Sequence, residues 1–232
     1  MSMSKHSRPT IFALAAICGI GALSGTALAQ DVIFDNFDYD GDSLYHAFAY
    51  SIQSNDAFGQ PDFGNGQSFV VNGGDYTLDA LIAPILYDDF AGGLNEGLTL
   101  SIYTNGGDGL PSMLLESATF SGLANSSDAG DPLSTFGFAG TTVLEDGARY
   151  WITATVPGDA ADVYSFGWFW NSDDLLVAPT VTSENNGPWQ GGVNEDFYLP
   201  QGAFRVEGTL VPAPGTLVGI AALGLIGTRR RR

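Results

Sequence analysis

Residues 67–87 read QSFVVNGGDYTLDALIAPILY, and this stretch decides the fold that the sequence predicts. Two runs rich in apolar and β-branched residues, 67–71 and 76–87, flank Asn72-Gly73-Gly74, which favours a tight turn. The pattern predicts two β-strands joined by a turn. An amphipathic helix is not predicted here, because the apolar residues do not recur at a helical spacing.

The same alternation of short strand-like runs and Gly, Asn and Asp clusters extends along the chain on both sides of this stretch. The predicted strands are 45–52, 67–71, 76–87, 97–104, 113–121, 141–144, 149–156, 163–171, 175–182 and 203–210. Many glycines and evenly spaced short strands favour an all-β fold, a two-sheet antiparallel β-sandwich of jelly-roll-like type, over a closed barrel.

The first 29 residues have the three-part pattern of a secretory signal. Lys5 and Arg8 precede an apolar run over 11–23, and the small residues of Ala27-Leu28-Ala29 follow. This pattern predicts a signal helix at 1–29 that is cleaved between Ala29 and Gln30. An uncleaved membrane anchor remains the alternative.

The region 30–210 is predicted to be one strongly acidic domain. It contains all 26 acidic residues but only two basic ones, Arg149 and Arg205, so its formal net charge is −24. Nucleic-acid binding requires basic residues that neutralise phosphates, and this composition excludes it. Anionic lipid surfaces are expected to repel the domain for the same reason.

The last segment, 211–232, has three parts. Val211-Pro212-Ala213-Pro214 is a stiff, extended stub, and an apolar or small stretch follows over 215–228. The chain then reads Arg229-Arg230-Arg231-Arg232. A membrane-spanning helix needs about 20 apolar residues, so this segment is barely long enough and suits transient retention in the inner membrane. The arginines mark its cytoplasmic side.

This arrangement resembles the PEP-CTERM sorting domain, which combines a Pro-x-Pro motif, an apolar helix and a terminal arginine cluster. The resemblance implies that an exosortase-type membrane protease cuts the tail in a Gram-negative bacterium that makes exopolysaccharide. Ala213 stands where that family usually has Glu. A plain single-pass anchor is the alternative. The body is similar to the choice-of-anchor β-sandwiches in the order of its segments QSFVV, YTLDALIAPIL, LTLSIYTNGGDGLPSMLLES, TTVLEDGARYWITATV and FGWFWN.

One acidic stretch has the spacing of the first half of a calcium loop. Asn36, Asp38, Asp40 and Asp42 place oxygen ligands at alternate positions around Gly41. Calcium prefers several such oxygen ligands, and it could bridge the domain to anionic glycans. The closing Glu of such a loop is absent. The alternative, which the sequence favours, is an acidic strand and turn that binds no calcium.

Aromatic residues alternate in the run VYSFGWFWN, which places Tyr164, Phe166, Trp168 and Trp170 on one face of a strand. Such a face either packs in the core, which we favour, or stacks on sugar rings. Trp189, near predicted loop residues, is the aromatic residue expected to be most exposed. Trp168, Trp170 and Trp189 are therefore the candidate glycan-binding residues.

Catalytic motifs are not found in the sequence. The predicted mature chain has one histidine, His46, no cysteine and no lysine, and it lacks a G-x-S-x-G motif. We expect a non-enzymatic protein that is exported to the cell surface or the exopolysaccharide matrix, with a structural or adhesive role. The alternative is a non-catalytic carbohydrate-binding module.

Overall fold

The computed structural model describes residues 30–37, 43–54, 62–88, 95–128, 130, 132–157, 164–171, 179–185, 187–191 and 200–212. These residues form fourteen β-strands and no helix. The strands are β1 (Asp31–Asp35), β2 (Ala49–Gln53), β3 (Phe63–Val70), β4 (Tyr76–Ala83), β5 (Ile85–Tyr87), β6 (Leu98–Asn105), β7 (Pro111–Phe120), β8 (Ser134–Gly137), β9 (Val143–Leu144), β10 (Arg149–Thr155), β11 (Ser165–Phe169), β12 (Thr180–Glu184), β13 (Gln190–Gly191) and β14 (Arg205–Leu210).

The strands form two antiparallel sheets. The smaller sheet has the order β1-β14-β4-β8, and β9 also pairs with β4. The larger sheet has the order β5-β11-β2-β3-β10-β6-β7, and β12 and β13 extend it from β3. The predicted all-β, antiparallel architecture is confirmed, and the two sheets are consistent with a β-sandwich.

Pro84 divides the single strand that was predicted over 76–87. The structure has β4 before this residue, in the smaller sheet, and β5 after it, in the larger sheet. Because proline has no N–H to donate to a ladder, it interrupts strand pairing, and the chain changes sheets at this point. The prediction of one continuous strand here is wrong.

A β-bulge at Asp79 sets which side chains of β4 face the core. Gly208 pairs with Leu78 and Glu207 pairs with Ala80, so Asp79 has no partner residue in β14. This extra residue shifts the alternation by one position. Leu78 before the bulge and Leu81 after it are both fully buried.

The two sheets share one hydrophobic core. Core residues come from the smaller sheet (Leu78, Leu81, Phe136, Val206) and from the larger sheet (Ile52, Phe69, Ile152, Trp168). Phe204, just before β14, joins the two groups, since its ring lies 4.7 Å from that of Phe34 and 5.9 Å from that of Trp168. Inward-facing apolar residues on both sheets are what a sandwich requires.

The first and last strands of the described body pair with each other. Asp31 is opposite Gly208, and Asp35 is opposite Arg205. An ion pair reinforces this contact, because Nε of Arg205 donates to Oδ2 of Asp35 at 2.8 Å. Residue 30 and residue 211 therefore lie at the same end of the β1–β14 pair.

Several predictions concern segments outside the described residues. These segments are 1–29, which holds the expected signal helix, and 213–232, which holds most of the expected tail with its hydrophobic helix. Asp38, Asp40 and Asp42 also lie outside the description. Within the described ranges, no helix has the length and apolarity needed to cross a membrane.

Candidate ligand-binding site

The aromatic row of β11 begins in the core, as the alternation predicted. Tyr164, Phe166 and Trp168 are buried, and Trp168 is 0% exposed. The indole N–H of Trp168 donates to the carbonyl of Ala203 at 3.0 Å. Trp168 is therefore a core residue that offers no surface to a sugar ring. Its assignment as a candidate glycan-binding residue is wrong.

Trp170, the last residue of this row, lies in a different environment. It is partly exposed and belongs to a group of four rings, His46, Phe48, Tyr50 and Trp170, which we call the aromatic cluster. The rings of Phe48 and Tyr50 lie 5.4 and 5.5 Å from that of Trp170, and His46 stacks on Phe48 at 4.9 Å. The side chain of Phe48 is 61% exposed.

Backbone hydrogen bonds hold the aromatic cluster in place. The N–H of His46 donates to the carbonyl of Trp170 at 2.8 Å, and the N–H of Trp170 donates to the carbonyl of Phe48 at 2.9 Å. Trp170 also forms an isolated bridge with Gly202 on its other side. The backbone of Trp170 is therefore paired on both edges.

Tyr50 connects the aromatic cluster to polar groups beneath it. Its hydroxyl donates to the carbonyl of Pro200 at 2.6 Å, and the side chain of Thr180 is hydrogen-bonded to it. Burial raises the pKa of Tyr50 to about 12, although the hydrogen bond from Thr180 lowers it. The phenol therefore remains protonated, and a donor, at neutral pH.

Polar atoms without partners lie close to this point. Thr180 is paired with Gln67 across β12 and β3. Gln67 is 0% exposed, and its Nε2 donates to Asn65, whereas its Oε1 has no hydrogen-bond partner. The indole N–H of Trp170 and both amide atoms of the adjacent Asn171 are also buried without partners. Buried polar atoms are normally paired, so the unpaired indole N–H within the aromatic cluster is unusual.

Trp189 lies on the opposite face of the larger sheet from Gln67. A Cβ atom at Gly64 would lie 3.3 Å from the ring of Trp189 and 2.9 Å from Thr155. Because side chains alternate along β3, Gly64 and Gln67 face opposite sides. This position separates it from Trp170. Trp189 is partly buried there, so the expectation that it is the most exposed aromatic residue is wrong, since Phe48 is more exposed.

Asn36, the first candidate calcium ligand, links the end of β1 to the segment before β14 through hydrogen bonds. It is 7% exposed, and its Nδ2 donates to Oε1 of Gln201 and to the carbonyl of Gly202, both at 3.0 Å. Its Oδ1 accepts the N–H of Phe204 at 2.7 Å. Among the described residues, no group of three or more His, Cys, Asp or Glu side chains could hold a metal ion.

Trp170 was expected from the sequence as a candidate residue, but the other three members of the aromatic cluster were not. His46, Phe48 and Tyr50 alternate along the chain just before and within β2, and this alternation is the signal that could have revealed them. Their closeness to Trp170 depends on the pairing of β2 with β11, which places Tyr50 opposite Trp168.

Comparisons of the chain with protein-family models, with curated proteins and with solved structures gave no match to any of them.

Proposed function

We propose that this chain is exported and sorted by an exosortase-type membrane protease to the cell surface or the exopolysaccharide matrix, where its acidic domain has a structural or adhesive role. In this proposal the domain performs no catalysis, and its association with the inner membrane is transient. The PEP-CTERM-like tail and the choice-of-anchor-like body motivate the proposal from the sequence.

The observation that carries the proposal is the position of the two expected cleavage sites relative to the sheet. β1 begins at Asp31, directly after the expected cut between Ala29 and Gln30, and β14 ends at Leu210, before the Pro212-Ala213-Pro214 motif. Both cuts would therefore leave every described strand intact. Since β1 and β14 pair, the last strand is anchored in the smaller sheet before the tail begins.

Intact-mass analysis of the protein from the native host tests the proposal. We expect the species in culture fluid and on the cell surface to begin at Gln30 and to end near Pro214. A variant with alanine at Arg229, Arg230, Arg231 and Arg232 is the matched control, because it keeps the length of the tail but removes its cationic cluster. This variant should retain its tail.

Two results would contradict the proposal. Recovery solely as a membrane-bound form that keeps all four arginines would indicate a plain anchor. Recovery from the cytosol with both ends intact would exclude export altogether.

A non-catalytic carbohydrate-binding module is the second candidate function, and it extends the first, since a matrix protein meets polysaccharide. The exposed ring of Phe48 beside Trp170 favours it. The aromatic residues that support it differ in part from those expected from sequence, because Trp168 is buried.

A further inference from the structure

The aromatic cluster exposes apolar ring surface to solvent. Phe48 has the highest exposed fraction among the large hydrophobic side chains of the described residues, 61%. It is not an isolated surface residue, because it stacks on His46 at an interplanar angle of 18° and contacts Trp170. Grouped, exposed aromatic rings in a soluble domain mark a contact surface for a ligand or a partner.

Hydrogen bonds order the backbone of the cluster and the side chain of Tyr50. His46 and Trp170 are joined by a backbone hydrogen bond, and the N–H of Phe48 donates to Nδ1 of His46 at 3.1 Å. Tyr50 is fixed at its hydroxyl by the carbonyl of Pro200. A surface that is already ordered loses little conformational entropy when it binds a ligand.

Unpartnered polar atoms give a second, independent indication of a ligand. The free indole N–H belongs to Trp170 itself, and the free Oε1 belongs to Gln67, which is the register partner of Thr180, the residue hydrogen-bonded to Tyr50. An unpaired polar atom in the interior costs free energy. A ligand that carries acceptor oxygens would satisfy the indole N–H of Trp170 after a small rotation of that side chain, which is common on binding.

The net charge of the domain limits which ligands the aromatic cluster could bind. The domain carries a formal net charge of −24, so a second copy of the chain, an anionic lipid surface and an anionic glycan are all repelled. An uncharged ligand with apolar C–H faces and many hydroxyl groups matches both the rings and the unpartnered polar atoms.

We propose that the aromatic cluster of His46, Phe48, Tyr50 and Trp170 binds neutral polysaccharide. Phe48 and Trp170 stack on the C–H faces of pyranose rings, and the indole N–H of Trp170 pairs with a hydroxyl group. This inference rests on the proposed function in one respect, since it gives the exported domain a polysaccharide to contact.

Affinity electrophoresis of the full chain in detergent micelles tests the proposal. The gels contain soluble β-glucan or galactomannan as neutral probes, or alginate as an anionic probe of similar chain length. We expect at least one neutral probe to retard the protein and alginate to have no effect. Tryptophan fluorescence, to which Trp170 is one of four contributors, should also change on titration with the neutral probe that binds.

Phe48→Ala is the main variant, because this side chain is largely exposed and its truncation should leave the fold intact. We expect it to weaken binding at least tenfold. Met113→Ala is the matched control, since Met113 is 59% exposed on β7 and lies outside the cluster. Its affinity should equal that of the unaltered protein. Trp170→Phe keeps a ring but removes the indole N–H, and we expect an intermediate loss.

The proposal is overturned if neither neutral probe retards the protein, if alginate binds more tightly than both, or if Phe48→Ala keeps full affinity. A dimer that Phe48→Ala dissociates, detected by light scattering, would assign the cluster to a second copy instead. Thermal melting of each variant verifies that it is folded. Binding without export would refute the proposed function alone, and export without binding would refute this inference alone.

Discussion

Gly202 lies directly against the indole of Trp168. A Cβ atom at Gly202 would be 2.8 Å from Nε1 of Trp168 and 3.1 Å from two of its ring carbons. Trp168 is fully buried and hydrogen-bonded to Ala203, so it cannot move aside freely. The absence of a side chain at Gly202 is therefore what allows the chain to cross from the larger sheet to the smaller one at this point.

This contact predicts that Gly202→Ala destabilises the fold. Overpacking of a filled core costs about 1–3 kcal/mol, and we expect a loss of that size in the free energy of unfolding measured with urea. Gly107→Ala is the control, because a Cβ at Gly107 would meet no atom within 4 Å. Equal stability of the two variants would show that the indole relaxes without cost.

The ion pair between the first and last strands predicts a salt-dependent contribution to stability. Nε of Arg205 is 2.8 Å from Oδ2 of Asp35, and its Nη1 is 3.6 Å from Oε1 of Glu207. Arg205→Met removes the guanidinium group from beside the carboxylates of Asp35 and Glu207. We expect a loss of about 1 kcal/mol at low ionic strength, which shrinks in concentrated NaCl because salt screens charges.

Arg149→Met is the control for this measurement. It removes the same charge from the same acidic domain, but Nη1 of Arg149 donates to the hydroxyl of Ser68, so the bond that is lost is not to a carboxylate. Its loss of stability should vary less with salt than that of Arg205→Met. Matching salt dependence in the two variants would mean that only the overall charge matters.

Tyr50 predicts how stability changes at alkaline pH. Burial raises its pKa from 10.0 to about 12, so the folded protein holds this proton more tightly than the unfolded chain does. The contribution of the Tyr50 hydroxyl to the free energy of unfolding is fully present below pH 10 and is lost as the pH rises toward 12. The stability advantage of the unaltered protein over Tyr50→Phe should therefore shrink between these values.

The internal control is the same comparison at about pH 8, where the phenol is protonated in both states and the difference should be constant. Urea denaturation at several pH values measures it. A difference that stays constant up to pH 12 would contradict the raised pKa of Tyr50.

The sequence predicted the strands best where apolar alternation is uninterrupted. Observed β10 (Arg149–Thr155) and β6 (Leu98–Asn105) match their predictions to within one residue at each end. β1 and β8 were missed because each is short and carries polar residues, so a single buried apolar position such as Phe136 gives little periodic signal. The break at Pro84 was readable from the sequence, since proline rarely lies within a ladder.

The candidate site was predicted less well, because it depends on contacts between distant segments. Alternation correctly placed Trp168 and Trp170 on the same face, but it could not reveal where the core ends along that face. Burial of Trp168 follows from Phe204, and the exposure of Phe48 follows from the register of β2 against β11. Neither pairing has a local signature in the sequence.

We predict that Asn36, one of the candidate calcium ligands, has a structural role instead. Its side chain makes three buried hydrogen bonds, with Gln201, Gly202 and Phe204, and Asn36→Ala removes all of them. Buried donors and acceptors left without partners cost about 1–3 kcal/mol each, so we expect a loss of about 3 kcal/mol in the free energy of unfolding. The loss should be the same in millimolar calcium and in EDTA.

Asn72→Ala is the matched control for Asn36→Ala. Asn72 is exposed and its Nδ2 donates only weakly, to the carbonyl of Val70 at 3.3 Å, so its removal should change stability by less than about 0.5 kcal/mol. Thermal unfolding with and without calcium distinguishes the two roles of Asn36. If calcium stabilises the unaltered protein and Asn36→Ala abolishes that gain, then Asn36 is a ligand, because a purely structural amide has no means of sensing the ion.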